Sequence, residues 1–323
     1  MRGLLLVLAL LAGCRSEPAP RTYAPLAPGG RVHVLRSSSG ATIVLELTAS
    51  DFAVPDEELV RWCERAIAAI EAYFGRFPLD ETRVTVSSRP GRRVLYGQAS
   101  AGGIRVLVGK DAPRAALDRD WTLTHEMTHL ALPTLAREHH WLEEGSATYV
   151  EPIARALAGQ RTAEEVWREF TRDYAQGLPR DGDRGLDATS TWGRTYYGGA
   201  LWCLLADVEL RKRSANQVGL QQALARVVAQ GGNAGEDWPI ERVLALADGA
   251  AGGRVLLDLY AAHAHTPVAT DLETLWKELG IVRRGRSVEF DDAAPLAAIR
   301  RAILEPPGPA RGPAEVPGGP PAR

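Results

Sequence analysis

His125-Glu126-Met127-Thr128-His129 combines residue types and a spacing that can do chemistry. On a helix, four residues turn through about 400°, so the two imidazoles lie about 40° apart and about 6 Å along one face. A nitrogen from each can then reach a single tetrahedral Zn2+ at about 2.0–2.1 Å. Glu126 projects beside them, where a carboxylate can hold a water on the metal and take its proton. Asp120 stands where it can cap such a helix, with Leu123, Met127 and Leu130 on its apolar side.

A pair of His and a Glu also arises by coincidence on solvated helices, so a second element must complete the site. A catalytic zinc needs a third protein ligand and one open position. Residues 141–151 read Trp-Leu-Glu-Glu-Gly-Ser-Ala-Thr-Tyr-Val-Glu, and fourteen residues separate His129 from Glu144. A carboxylate at the start of a second helix, packed across from the first, can supply that ligand. Glu143 and Glu144 both have the right chemistry, and His139 and His140 are rivals on residue type alone.

Taken together, the two segments resemble the gluzincin metallopeptidases, in which an HExxH helix is followed by a helix bearing a glutamate ligand. Aminopeptidase N-like members carry that glutamate within W-L-x-E-G-x-A-x-Y, which this chain matches at Trp141, Leu142, Glu144, Gly145, Ala147 and Tyr149. The resemblance implies Zn2+ held by His125, His129 and Glu144, with Glu126 as catalytic base and a peptide or protein as substrate. It selects Glu144 over Glu143, which becomes a solvated neighbour, and gives His139 and His140 no role beyond loop or pocket rim. Thr148, one turn past Glu144, stands where thermolysin-type members place an Asp that orients a ligating His; a hydroxyl does this more weakly.

Peptide hydrolysis also needs a donor for the tetrahedral oxyanion. The resembled enzymes use a tyrosine in a Y-x-x-G context that opens a later helix, which fits Tyr196 with Gly199 three residues on; Tyr197 is the alternative. The resemblance runs over about 80–281, with sharp motifs in 121–151 and 194–201. It departs at the G-x-M-E-N segment that captures a free amine in aminopeptidase N-like enzymes. Ala101-Gly102-Gly103-Ile104-Arg105 occupies about that place without a carboxylate. The spacing of the zinc ligands is also shorter than in aminopeptidase N and nearer the peptidase-MA-like members.

The elements that must position these residues form an α+β pattern, consistent with a thermolysin-like zincin: a small mixed sheet with a helix, then a mainly helical lobe. Val32–Leu35 and Thr42–Leu47 alternate around Ser37-Ser38-Ser39-Gly40, which predicts a hairpin. Leu59, Cys63, Ile67, Ile70 and Phe74 fall at helical spacing before Gly75 and Pro78. Arg83–Val86 and Ile104–Val108 read as strands, Val94–Tyr96 as a shorter one. The cleft is expected between the lobes, with Ile104–Val108 as its edge strand. After Asp120 almost everything to residue 279 reads as helix. Cys63 and Cys203 lie in helical apolar patterns and are expected as core thiols.

Of 323 residues, 45% are hydrophobic and 24% charged, and 38 basic against 40 acidic side chains leave a net charge of −2. That balance excludes a nucleic-acid footprint or a polybasic membrane patch. Residues 1–13 carry one cation and an apolar run with the layout of an export signal, too short as a helix to cross a bilayer of about 30 Å. Leu11-Ala12-Gly13-Cys14 resembles the lipobox of bacterial lipoproteins, which implies a lipid on Cys14 and a membrane-anchored protein of the cell envelope. The expected order is signal peptide 1–13, Pro-rich tether 14–30, sheet-bearing lobe 31–120, zinc-binding and helical lobe 121–304, and a disordered Pro/Gly-rich tail 305–323. The reading that follows is an envelope-anchored zinc metallopeptidase. A catalytically inactive binding lipoprotein of the same fold, or a zinc hydrolase of non-peptide amides or esters, are the alternatives.

Overall fold

The structure, a computed structural model, describes residues 28–305. The expected signal peptide, Cys14, most of the expected tether and nearly all of the Pro/Gly-rich segment 305–323 therefore lie outside the described residues.

β1 (Arg31–Arg36) and β2 (Thr42–Leu47) form the expected antiparallel hairpin, turning through Gly40 at φ +94°. α1 (Asp56–Phe74) then crosses over to β3 (Glu81–Arg89), which pairs parallel with β2. Its buried stripe includes Leu59, Cys63, Ile67, Ile70 and Phe74, and left-handed Gly75 (φ +76°) ends it by donating its N–H to the Glu71 carbonyl. β4 (Val94–Ser100) and β5 (Gly103–Gly109) complete a five-stranded mixed sheet in the order β1-β2-β3-β5-β4.

That order corrects the expected edge. β5 is interior, parallel to β3 on one side and antiparallel to β4 on the other; β4 closes the sheet. The physical reason lies in burial. β5 contributes buried Ile104, Val106 and Val108 to the core, while β4 is largely exposed and runs on to Ser100, beyond the predicted Val94–Tyr96.

The second part is mainly helical: α2 (Arg114–Asp118), α3 (Thr122–His129), α4 (His140–Leu157), α5 (Ala163–Asp173), α6 (Gly199–Arg213), α7 (Leu220–Ala229), α8 (Ile240–Asp248), α9 (Val255–His263) and α10 (Leu272–Glu278). α6 does not begin as an ordinary helix at 196; a π-helical turn, Arg194–Gly198, precedes it. Helical expectation also fails beyond α10. β6 (Ile281–Arg284) and β7 (Ser287–Phe290) make a hairpin through Gly285 at φ +61°, followed by α11 (Ala297–Ile303). β-Branched Ile281, Val282 and Val288 around a glycine turn favour strand over helix.

α1 packs against α3, α4 and α7, so one continuous core joins the sheet side to the helical side. Cys63 and Cys203 are both buried in it as free thiols. Among the described residues, no helix is long and apolar enough to cross a membrane.

Candidate active site

α3 is fixed at its start by Asp120, whose carboxylate accepts the N–H groups of Thr122 and Leu123, both at 3.1 Å, and the Trp62 indole of α1 at 3.0 Å. Leu123, Met127 and Leu130 are fully buried against the core. The remaining face turns His125, Glu126 and His129 toward α4 and β4.

From α4, Glu144 meets both imidazoles: its Oε2 lies 3.2 Å from His125 Nε2 and 3.6 Å from His129 Nε2. Donor atoms surrounding one tetrahedral zinc at about 2.0–2.1 Å are about 3.3 Å apart, so this set fits the ion. Among the described residues, His125, His129 and Glu144 are the only such group able to hold a metal. Burial by itself would raise the Glu144 carboxyl, but hydrogen bonds from His125 and His129 outweigh it and hold the group well below the usual carboxylate range. Burial lowers the His125 imidazole. Burial also lowers His129, but its hydrogen bond to Glu144 and the charges of Glu144 and Glu126 overcome this and raise it. The site thus presents one firmly ionised carboxylate to two imidazoles.

Glu126 is 8% exposed; burial raises its pKa, and the charge of His129 opposes that rise. Tyr196 comes to this site: its ring stacks over His125 at 6.4 Å with an interplanar angle of 18°. Burial, then the charge of Glu144, pushes its phenol up to about 12. Tyr197, its rival from sequence, lines a neighbouring cavity instead.

The other candidates fall away. Glu143 is not a solvated neighbour: its carboxylate accepts the Leu135 N–H at 2.9 Å and contacts His140 Nδ1 at 3.0 Å, pinning the chain before α4. His140 lines the rim of the cavity, with Nε2 3.5 Å from Glu144 Oε1. His139 turns away to buried Asp187, which also accepts from Trp141 and Tyr260. Thr148 lines the neighbouring cavity with His125, and no hydrogen bond joins its hydroxyl to either imidazole among the described residues.

Two cavities flank the triad. One, of about 700 Å³, is lined by residues 95–100 of β4 with Ala101 after it, the α3 face and Tyr196. The other, of about 670 Å³, shares Trp121, His125 and Tyr196 with it and extends over α4 and α5. Sequence reasoning missed Gly97, which lies against Glu126, and the rim rings Trp121 and Trp192. A lone glycine within a strand signals close approach by another group and could have flagged Gly97; no spacing identifies the tryptophans.

No family model and no curated protein sequence matches the chain. Solved structures do. An aminopeptidase N family protein from Idiomarina loihiensis aligns with a TM-score of 0.59 at 15% identity, over 78% of this chain and 49% of its own. The M1 zinc metallopeptidase from Deinococcus radiodurans aligns with a TM-score of 0.50 at 20% identity, over 75% of this chain and 52% of its own. The chain thus spans about half the length of these structures. At such identities the likeness speaks to fold: a five-stranded mixed sheet followed by a mainly helical region, as in M1 zinc metallopeptidase catalytic domains, with a His-His-Glu candidate metal site at its centre.

Proposed function

We propose that the chain is a zinc-dependent metallopeptidase. The observation that carries this reading is the convergence of His125, His129 and Glu144 on one point, with Glu126 beside it and an unpaired sheet edge along the same cavity. Zinc held by these three residues would supply a Lewis acid that polarises the scissile carbonyl and makes water a nucleophile at neutral pH.

The chain's own residues do the rest. Glu126 accepts the proton of the attacking water and then delivers it to the leaving amine, a general base followed by a general acid. Its raised pKa suits both halves of that shuttle. Tyr196 stays protonated at neutral pH, because its pKa is near 12, and donates to the oxyanion as charge develops there. Asp120 fixes the start of α3 against α1, and Glu143 ties the start of α4 to the segment that precedes it. A peptide as substrate is supported by the fold relative from Deinococcus radiodurans, a variant of which was solved bound to Tyr-Ser-Ala with a TM-score of 0.50 to this chain.

The test is metal analysis paired with hydrolysis of a peptide library. Glu126→Ala should keep stoichiometric zinc and lose hydrolysis, whereas Glu144→Ala should lose zinc. Unchanged turnover by Glu126→Ala refutes the mechanism. Anchoring to the cell envelope through lipid on Cys14 belongs to the same proposal on its sequence alone. Metabolic labelling with a radioactive fatty acid should mark the wild-type chain and not Cys14→Ala.

A further inference from the structure

We infer that the site cleaves internal bonds of extended peptides and needs no free α-amine, which makes it an endopeptidase; this rests on the metallopeptidase reading above. The reacting position is marked by Gly97, packed against the Glu126 carboxylate. The strand that lines the cavity does not stop there. Leu95 and Tyr96 precede Gly97 along the wall, and Ala99, Ser100 and Ala101 follow it. At about 3.3 Å per residue this edge can accompany roughly two substrate residues on each side of the cleaved bond. β4 pairs only with β5, so its other edge carries no strand and is left for an extended chain to pair with.

Nor does the trough end at the metal site. The second cavity opens from Trp121, His125 and Tyr196, the residues it shares with the first. Exposed rings are spread along both, with Tyr96 56%, Trp121 54% and Trp192 60% accessible. They offer apolar contact for side chains on either side of the cleaved bond.

An enzyme that reads an N-terminus must hold its ammonium with a carboxylate, because desolvating an unpaired cation is costly. Among the described residues lining the first cavity, each carboxylate already has a partner. Glu126 sits against Gly97 beside the charge of His129, Glu144 meets the imidazoles, and Glu143 takes the Leu135 N–H with His140. In the second cavity, Glu151, Glu169 and Asp173 are matched by Arg155, Arg161 and Arg172 at 2.9, 2.8 and 2.5 Å. Asp118 there pairs with Arg65 at 2.5 Å, and Glu165 accepts the Thr162 N–H at 2.9 Å. The walls are built to receive chain in both directions and leave no acid to fix where it begins.

The experiment compares three substrates on the full zinc-loaded chain: an internally quenched peptide long enough to span both cavities, the same peptide N-acetylated, and aminoacyl nitroanilides with free amines. Acetylation should change kcat/KM by less than about threefold, and the nitroanilides should be poorer than the long peptide by about a hundredfold or more. Mass spectrometry should place the cuts inside the peptide. If the acetylated peptide is left intact while the free one is trimmed from its N-terminus, the inference fails and the metallopeptidase reading stands. If the wild type cuts nothing, or Glu126→Gln cuts as well as wild type, the metallopeptidase reading itself fails and takes the inference with it.

Discussion

Gly97 lies directly against the Glu126 carboxylate: a Cβ built on it would come within 2.6 Å of Glu126 Cγ, 2.8 Å of Glu126 Oε1 and 2.7 Å of Thr122 Cγ2. Carbon atoms rest at about 3.5–4.0 Å, so no side chain fits there unless both Glu126 and Thr122 move. The absence of a Cβ is what lets the sheet edge pass over Glu126 and Thr122 at this distance. In Gly97→Ala, the new methyl should push Glu126 out of its place beside the paired imidazoles, away from the water it is proposed to activate. We expect kcat to fall by about 10–100-fold with zinc content and thermal midpoint close to wild type. Steady-state kinetics with metal analysis measures this, and an unchanged kcat would show that the contact does not position the base.

Tyr196 and Tyr197 are adjacent in sequence, yet only Tyr196 lines the cavity over Glu126 and His129 as well as the neighbouring one, which makes them a natural pair of variants. If the Tyr196 hydroxyl donates to the oxyanion, Tyr196→Phe removes an interaction made chiefly in the transition state. The expected signature is a loss of about 10²–10³ in kcat with a much smaller change in KM. Tyr197→Phe should leave kcat within about twofold of wild type. Equal effects from the two substitutions would point to packing of the π-helical turn rather than to catalysis.

The close approach of α4 to α6 depends on Gly145, one residue beyond Glu144 of the candidate metal site. A Cβ at Gly145 would collide with the backbone of Gly199, and one at Gly199 with the Trp141 carbonyl and Gly145 Cα. Because the obstacle is backbone, no rotamer change relieves it; the helices must part. Gly145→Ala should therefore destabilise the fold by about 2–3 kcal/mol and weaken zinc retention, since the same shift carries Glu144 away from the imidazoles. Urea unfolding should show a lower midpoint with an unchanged slope. A variant with wild-type midpoint and metal content would mean that the helices tolerate separation.

How much of this could be read from the chain follows from which forces set each feature. The imidazole pair was readable because helical geometry alone fixes two residues four apart, and Glu144 because its surrounding pattern is distinctive. The cap by Asp120 and the stop at Gly75 are local and were readable for the same reason. The sheet edge was not. β5 offers the stronger apolar run, so it drew the assignment of Ile104–Val108 as the edge; β4, exposed and interrupted by Gly97, carries little pattern although it forms the wall of the site. The anchoring of Glu143 by the Leu135 N–H depends on how the chain folds back between α3 and α4, which no periodicity encodes. The final hairpin uses two four-residue strands, too short to announce themselves.

Below the site, Glu151 and Arg155 form a buried ion pair at 2.9 Å. Burial raises the Glu151 carboxyl from 4.5 to about 7, even against the pull of Arg155, with the charge of Glu169 adding to the rise. Between those two values the folded chain keeps a proton that the unfolded chain has released. Unfolding then sheds a proton, so stability contributed by this group is fully present below about pH 4.5 and is lost as pH climbs through 7. Glu151→Gln cannot titrate, and comparing it with wild type cancels the other ionisable groups. The thermal midpoint of wild type relative to Glu151→Gln should fall steadily from pH 5 to pH 8. A difference that is flat, or that grows in favour of wild type over this interval, would show that Arg155 rather than burial governs the carboxyl.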